Sequence, residues 1–131
     1  MVEIRAIREP GVLLSSLMEL YRRAWETRDP DLAVQLFTED ATYQENPFSE
    51  PIAGQDGIRH YWEEATRHQR DIRFRWEPIS HRGNLHVVEW QAEFTRADSD
   101  RRIELRGVML IELHGDRIFR FREYWHRREN S

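Results

Sequence analysis

The region that decides the fold runs from residue 85 to residue 125 and reads LHVVEWQAEFTRADSDRRIELRGVMLIELHGDRIFRFREYW. Apolar and polar residues alternate over 85–95, 102–113 and 117–126, which is the two-residue period of β-strands. The connections TRADSDR and HGDR are short and rich in turn residues, so the strands are predicted to pair as antiparallel hairpins. A further strand, 72–80, precedes them through the turn HRGN. The second half of the chain is therefore predicted to be a four-stranded antiparallel meander.

The first half of the chain has the period of helices instead. Residues 10–28 place leucines and aromatic residues three and four positions apart, which predicts an amphipathic helix. The segment DPD at 29–31 ends this helix and begins a short second one, because Asp caps helices and Pro fits the first turn. A short strand is predicted at 41–45 and a third helix at 58–69. This order predicts an α+β domain in which three N-terminal helices cover the concave face of a cone-shaped, curved antiparallel sheet.

Length and composition limit the class of protein. The 131 residues contain no internal repeat and no linker-like segment, which predicts a single domain over 10–127 after an N-terminal extension, 1–9. The chain has no cysteine, and no signal peptide or membrane span is indicated, so a cytoplasmic protein without membrane association is expected. The formal net charge of −4 disfavours a nucleic-acid partner, because such partners require a clustered basic face.

The sequence has no complete motif for a metal or a nucleotide. His60 and Glu64 are four residues apart on the predicted third helix, but no second histidine completes a metal-binding set. The chain has neither a glycine-rich phosphate loop nor a Gly-x-Ser-x-Gly elbow. We therefore expect no metal and no cofactor.

Three segments of the chain resemble the nuclear transport factor 2-like superfamily. They are the helix from Tyr21 to Trp25 followed by RDPDLAVQLFTEDATY, the segment SEPIAG followed three residues later by IRHY, and the closing GDRIFRFREYW. This superfamily includes SnoaL-like polyketide cyclases, limonene epoxide hydrolase and ketosteroid isomerase. The resemblance implies a cystatin-like α+β roll around a central cavity. It implies no single reaction, because this scaffold carries enzymes and non-enzymes.

The resemblance to ketosteroid isomerase implies roles for individual residues. Tyr21 falls on the tyrosine of the oxyanion hole, and Glu45 falls on the general-base aspartate. Trp62 falls on a second pocket tyrosine, and Met109 falls on a protonated aspartic acid that donates a hydrogen bond. A thioether cannot donate one, so an unchanged steroid isomerase reaction is not expected. Tyr21 and Glu45 are thus candidate catalytic residues. The alternatives are that Tyr21 only packs in the core and that Glu45 only pairs with an arginine.

Alternation along the strands predicts the rest of the cavity lining. With Met109 facing inward, the two-residue period turns alternate residues of the last strands inward as well. On the strand 85–95 we predict that Gln91 and its alternate polar neighbours face the cavity, which would make that end of it wet and acidic, whereas the opposite register would make it apolar. Together with two aromatic residues of the helices, the predicted lining consists of Trp25, Trp62, Met109, Ile111, Glu123, Trp125 and Gln91.

The same register places large apolar residues on the convex face of the sheet. Trp90, Phe94 and Leu110 would form a patch there that is too large for a lone domain to leave in water. We therefore predict a homodimer that covers this patch.

Three hypotheses for the function follow. The first is a cofactor-independent isomerase, lyase or cyclase acting on a small apolar or carbonyl-containing molecule, with Glu45 as general base and Tyr21 as hydrogen-bond donor. The second is a domain that binds a similar molecule without turnover, which Met109 in place of an acid favours. The third is an association domain with a filled cavity. A small-molecule cavity is the preferred interpretation, and the choice between enzyme and binding domain stays open at this point.

Overall fold

The computed structural model describes residues 10–130, and within that range the chain forms three helices and six strands. The helices are α1 (Pro10–Glu26), α2 (Pro30–Gln35) and α3 (Gly54–Thr66). The strands are β1 (Phe37–Gln44), β2 (Ile52–Ala53), β3 (Gln69–Arg82), β4 (Leu85–Arg96), β5 (Arg102–His114) and β6 (Arg117–Asn130). The predicted α+β class is confirmed. The predicted N-terminal extension, 1–9, lies outside the described residues.

One mostly antiparallel sheet contains the six strands in the order β2-β1-β6-β5-β4-β3. Strands β3 to β6 pair consecutively as an antiparallel meander, as the sequence predicts. Gly83 and Gly115 stand in the turns of the first and last of these hairpins with φ of 59° and 64°, a conformation that glycine adopts without steric cost. Strand β1 instead pairs with β6 in parallel, because the chain crosses over through α3 and the meander before it returns.

The predicted stop between the first two helices is also present. Asp29 caps α2 by accepting a hydrogen bond from the backbone N–H of Leu32 at 3.0 Å, and Pro30 occupies the first helical turn. This short helix leads directly into β1, which begins at Phe37 and so starts four residues earlier than the predicted strand at 41. The early start pairs Phe37 with Ile118 of β6 and anchors the parallel edge of the sheet.

The helices bury one face each against the concave side of the sheet. On α1 the residues at helical spacing are the buried ones, among them Met18 and Tyr21, and on α3 they are Ile58 and Trp62. These side chains pack against inward-facing strand residues such as Phe121, so helices and sheet share one core. Within the described part of the chain, no helix is long and apolar enough to cross a membrane.

The side chains of β4 that face the core are not those that were predicted to do so. Trp90 and Phe94 are 3% and 8% exposed and belong to the core, whereas Gln91 faces the convex side. The cause is cross-strand pairing: Val88 lies opposite Met109, and residues that pair across an antiparallel ladder share a face. Because Met109 faces inward, the even-numbered residues of β4 face inward with it.

This register removes most of the patch on which the homodimer was predicted. Trp90 and Phe94 pack beneath the helices, and of the three residues only Leu110 stays on the convex face. That face carries ion pairs instead, such as those of Glu104 with Arg106 and Arg128. The homodimer stays a prediction, without the patch that motivated it.

Candidate functional site

A cavity of about 210 Å³ lies between the C-terminal ends of α1 and α3 and the concave face of the sheet. Four of the five tryptophans and three of the four tyrosines of the chain line it. The aromatic residues are Tyr21, Trp25, Tyr43, Tyr61, Trp62, Trp90, Phe94 and Trp125; the others are Ala65, Thr66, Gln69, Leu105, Glu123 and Arg127. The wall is therefore mostly aromatic, and Glu123 is its one carboxyl group among the described residues.

Helical spacing brings the aromatic residues together. Tyr21 and Trp25 are four positions apart on α1, so their rings lie on one face and meet edge to face at 6.3 Å between centroids. The ring of Tyr21 also meets Trp62 of α3 edge to face at 5.3 Å. Edge-to-face contact is a favoured geometry for aromatic pairs. It sets the rings of the two helices at steep angles to one another around the cavity.

A glycine on β5 makes room for two of the indoles. Gly107 lies opposite Trp90 of β4 on one side and opposite Trp125 of β6 on the other. A Cβ at this position would overlap the carbonyl oxygen of Tyr124 and lie 2.7 Å from the Cβ of Trp125. The absence of a side chain thus lets β6 come close and places both indoles at the cavity wall.

Glu123 lies on β6 with its side chain directed into the cavity, and the residue is only 6% exposed. Among the described residues, no hydrogen bond or ion pair engages its carboxyl group. Burial and, secondly, the charge of Glu45 raise the pKa of Glu123 from its ordinary value of 4.5 to about 8. At neutral pH this carboxyl group is therefore mostly protonated, yet it exchanges its proton within the physiological range.

Glu45 follows the last residue of β1 and is half-buried. It lines an outer groove of about 590 Å³, formed by residues 45–48, 106–108 and 123–126. Glu123 and Trp125 line both this groove and the central cavity, so they form the wall between them. Trp125 donates a hydrogen bond from Nε1 to the carbonyl oxygen of Glu45 at 3.1 Å, which fixes the start of the loop against the wall.

The tyrosine hydroxyl groups form the other polar part of the cavity. Burial and the charge of Glu123 raise the pKa of Tyr21 well above its ordinary value, and a hydrogen bond with Tyr43 lowers it in part. Burial is the main cause of the raised pKa of Tyr43, and the same hydrogen bond adds to it, as expected if Tyr43 donates to Tyr21. In that arrangement the hydroxyl proton of Tyr21 is available to a ligand. Burial also raises the pKa of Tyr61.

Several other polar groups of the wall are already engaged. Trp25 donates from Nε1 to the side-chain oxygen of Gln69 at 2.8 Å, and the hydroxyl group of Thr66 bonds the carbonyl oxygen of Trp62. The guanidinium group of Arg127 pairs with Glu129 at 3.0 Å. In the range 10–130, no cluster of three His, Cys, Asp or Glu side chains could hold a metal ion.

The predicted site residues fall into three groups. The structure places Tyr21, Trp25, Trp62, Glu123 and Trp125 at the cavity wall. Met109 and Ile111 face the same side of the sheet but are fully buried deeper in the core, and Gln91 faces the convex side. Glu45 is beside the cavity, in the outer groove, where its charge reaches Glu123.

Several cavity residues were not predicted from the sequence, among them Tyr43, Tyr61 and Trp90. Tyr61 is the last residue of the IRHY segment that carries the family resemblance, but the resemblance implied no role for it. Trp90 would have been found from the pairing of β4 with β5, because its partner Gly107 lies in a strand whose facing was predicted correctly. Nothing in the local pattern of β1 marked Tyr43.

The sequence matches a known family over most of its length. A family described as SnoaL-like domain matches residues 18–121, which is most of the chain. The chain belongs to the SnoaL-like domain family. This SnoaL-like domain has the NTF2-like, ketosteroid isomerase-like fold that the resemblance implied.

Solved structures share the fold at low sequence identity. A Bacillus subtilis protein provisionally assigned as an isomerase is 18% identical with a TM-score of 0.78, over 91% of this chain and 90% of that one. A Catenulispora acidiphila protein with a ketosteroid isomerase-like fold, in complex with trimethylamine, is 15% identical with a TM-score of 0.73, over 82% and 83%. SalBIII, an epoxide hydrolase/cyclase-like enzyme with a role in pyran ring formation in the polyether salinomycin, is 20% identical with a TM-score of 0.74, over 86% and 89%. No curated protein matches the chain significantly.

Proposed function

We propose that this SnoaL-like domain binds a small, largely apolar molecule in the central cavity and transfers a proton on it without a cofactor, as an isomerase, lyase or cyclase does. One observation carries the proposal: the carboxyl group of Glu123 is buried, faces the cavity and has no partner among the described residues.

An unpaired buried carboxyl group costs folding free energy. Burying an acid is unfavourable unless it is hydrogen-bonded or paired, and this chain has twenty basic residues, all of them arginine. A carboxyl group with a purely structural role would be expected to pair with one of these arginines, as Glu104 does with Arg128. Groups left in this state in a cavity are typical of sites that handle protons or ligands.

The surroundings of Glu123 suit proton transfer near neutral pH. A general base works best when its pKa lies near the working pH, because it must both take up and release the proton. With a pKa of about 8, Glu123 meets that condition. The charge of the neighbouring Glu45 is the second cause of this raised pKa.

The proposed step is enolisation of a carbon next to a carbonyl group. The ionised carboxylate of Glu123 takes a proton from that carbon, and the electron pair of the broken C–H bond moves onto the carbonyl oxygen. The hydroxyl proton of Tyr21 stabilises the developing negative charge on this oxygen. In a substrate whose enolate is conjugated with a further double bond, return of the proton from Glu123 to the far carbon of that system completes an isomerisation, and no other reactant is consumed.

Glu45 has two possible roles in this scheme. A ligand confined to the central cavity meets Glu123, and Glu45 then acts through its charge alone. A ligand that extends past Trp125 into the outer groove reaches Glu45 directly, which then serves as the general base that the family resemblance implies. We favour the first role, because Glu123 lines both spaces and Glu45 lines only one.

The size of the cavity limits the ligand. Its volume of about 210 Å³ equals that of about seven water molecules at liquid density. This is below the range of about 300–1,000 Å³ that is typical for drug-sized ligands. We therefore propose a ligand on the order of ten non-hydrogen atoms rather than a polycyclic one.

The solved relatives support a small ligand and this reaction class. One of them is in complex with trimethylamine, a molecule of suitable size. An isomerase assignment and an epoxide hydrolase/cyclase-like enzyme are found on the same fold.

Hydrogen–deuterium exchange tests the proposal before the substrate is known. Small cyclic ketones in D₂O are followed by proton NMR, and we expect the wild type to accelerate exchange at the carbon next to the carbonyl group. Glu123→Gln keeps the shape but cannot take the proton, so it should lower the rate by about 10²-fold or more. Glu63→Gln, which changes an exposed carboxylate of α3, is the matched control.

The alternative is a binding domain without turnover. Met109 favours this alternative, because the resemblance implies an acid at this position that donates a hydrogen bond to the ligand, and a thioether cannot donate one. Ketones that bind to the wild type, as seen from shifts of protein resonances, without accelerated exchange would support this alternative and reject proton transfer.

A further inference from the structure

We propose that the molecule bound in the central cavity carries a positive charge, as a small amine in its ammonium form or as a quaternary ammonium ion. The inference rests on the proposed function for the position of the ligand beside Glu123, and it adds the chemical class of that ligand. It is carried by the aromatic wall of the cavity and by the balance of charges around it.

The wall consists of aromatic rings rather than aliphatic groups. Among its lining residues only Ala65 and Leu105 have aliphatic side chains, although the chain is rich in leucine and isoleucine elsewhere. A neutral apolar ligand would be held equally well by aliphatic side chains. Aromatic rings add a negative electrostatic potential on each face, which attracts cations. The composition of this wall therefore favours a cation over a neutral molecule of the same shape.

The rings surround the space from several directions. Trp25 and Trp62 meet Tyr21 at 86° and 83°, and the two indoles meet each other at 69°. Rings at such angles form the corner of a box, not a flat stack. Trp90 and Trp125 close the box from the sheet side. A compact cation in this space can contact several rings at once, which is the arrangement that binds quaternary ammonium groups.

The charges around the cavity are also those of a cation site. The titratable groups that act on Glu123 or respond to it are Glu45 after β1, Tyr21 on α1, Tyr43 on β1 and Tyr61 on α3. None of these carries a positive charge. Arg127 lies at the wall, but its guanidinium group already pairs with Glu129. Without a ligand, a proton on Glu123 is thus the positive charge that balances the site.

A bound cation replaces that proton. An opposite charge nearby favours the ionised carboxylate. A quaternary ammonium ion therefore binds with release of the proton from Glu123 to solvent, and a neutral amine takes the same proton onto its nitrogen. In both cases Glu123 becomes a carboxylate, the form that the proposed proton transfer requires. The charge of the ligand would thus convert a protonated acid into a base on binding.

A pair of probes with the same shape tests the inference. Choline and its neutral analogue 3,3-dimethylbutan-1-ol differ by a cationic nitrogen in place of a carbon, and isothermal titration calorimetry measures the affinity of each for the full chain. We expect choline to bind at least about tenfold more tightly. Below pH 8 the affinity for choline should rise with increasing pH, by up to about tenfold per pH unit. Binding should release about one proton per site. A neutral ligand that accepts a hydrogen bond from protonated Glu123 would show the opposite trend.

Two variants separate the contributions of charge and ring. Glu123→Gln should remove the preference for choline and the proton release, and Glu63→Gln should leave both unchanged. Trp125→Leu keeps an apolar wall but removes one aromatic ring, so it should weaken the binding of choline several-fold more than the binding of the neutral analogue.

Equal or tighter binding of the neutral analogue overturns the inference. So does absence of binding by both choline and tetramethylammonium at millimolar concentration. Neither result affects the exchange of neutral ketones, which tests the proposed function by itself. If ketone exchange fails while choline binds with proton release, the cation site stands and the proton-transfer reaction falls.

Discussion

Glu123 lies directly opposite Met109 across the pairing of β5 with β6, and both side chains face the helices. The family resemblance assigns the place of Met109 to an acid that is held protonated. In this chain a buried acid stands on the neighbouring strand at the same level of the sheet. The fully buried thioether offers it no hydrogen bond, so Met109 helps to keep Glu123 dry and protonated. The absence of an acid at 109 therefore does not leave the site without one.

The first prediction concerns stability against pH. The pKa of Glu123 is about 8 in the folded protein and 4.5 ordinarily, so the folded state binds more protons between these values. The raised pKa therefore stabilises the folded state, fully below pH 4.5, and this contribution is lost as the pH rises through 8. At about 1.4 kcal/mol per pKa unit, the contribution to the free energy of unfolding is a few kcal/mol.

Glu123→Gln imitates the protonated acid and should not lose that stabilisation. Urea denaturation should show the variant to be more stable than the wild type near pH 9 and similar to it near pH 5. Parallel curves for wild type and variant across this range would show that Glu123 ionises normally, which contradicts the prediction.

The second prediction concerns the coupling of the two carboxyl groups. Glu45→Gln removes the charge that is the second cause of the raised pKa of Glu123, so the pKa should fall. It should stay well above 4.5, because burial is the larger cause. Titration of ¹³C-labelled glutamate side chains by NMR measures both values, with Glu63→Gln as control. A pKa of Glu123 that does not change in Glu45→Gln would show that the two groups do not interact.

The third prediction concerns the glycine between the two indoles. Gly107→Ala forces Trp125 and the backbone of β6 to move, so it should destabilise the protein by about 1–3 kcal/mol. Gly11→Ala is the control, since a Cβ there meets no atom within 4 Å and Ala is the better helix former. Chemical denaturation of both variants gives the comparison. If Gly107→Ala is as stable as the wild type, the close approach of the strands is not required.

The fourth prediction compares a residue on the core face of β4 with one on the convex face of β5. Trp90→Ala should cost about 3–5 kcal/mol of stability, as expected for a large buried aromatic residue. Leu110→Ala, on the convex face, should cost much less. Light scattering on the same samples reports the oligomeric state. A dimer that dissociates in Leu110→Ala would support association through the convex face, whereas a monomeric wild type at micromolar concentration would remove the predicted homodimer.

Local patterns in the sequence predicted the elements well. The helical spacing on α1, the Asp29 cap and the alternation of β5 are short-range features, and each appears in the structure as predicted. The facing of Glu123 also followed from alternation alone. Such features depend on neighbours within a few residues, which is why the sequence contains enough information to predict them.

Relations between distant segments were harder to predict. Alternation on β4 allows two facings, and only the pairing with β5 decides that Trp90, not Gln91, lies inward. The direction of the Glu45 side chain was hard to predict for a similar reason. It follows the end of β1, where the two-residue period stops, so no pattern indicated whether its side chain would enter the cavity or the outer groove.

The tryptophans around the cavity give the protein an optical property. Four indoles line one space, and the fifth, Trp76, lies elsewhere and bonds Glu19. Four of the five indoles that emit in the near ultraviolet are therefore at the site. In Trp76→Phe every emitting indole would touch the cavity, so the fluorescence spectrum of the unlabelled protein would report directly whether that cavity is occupied.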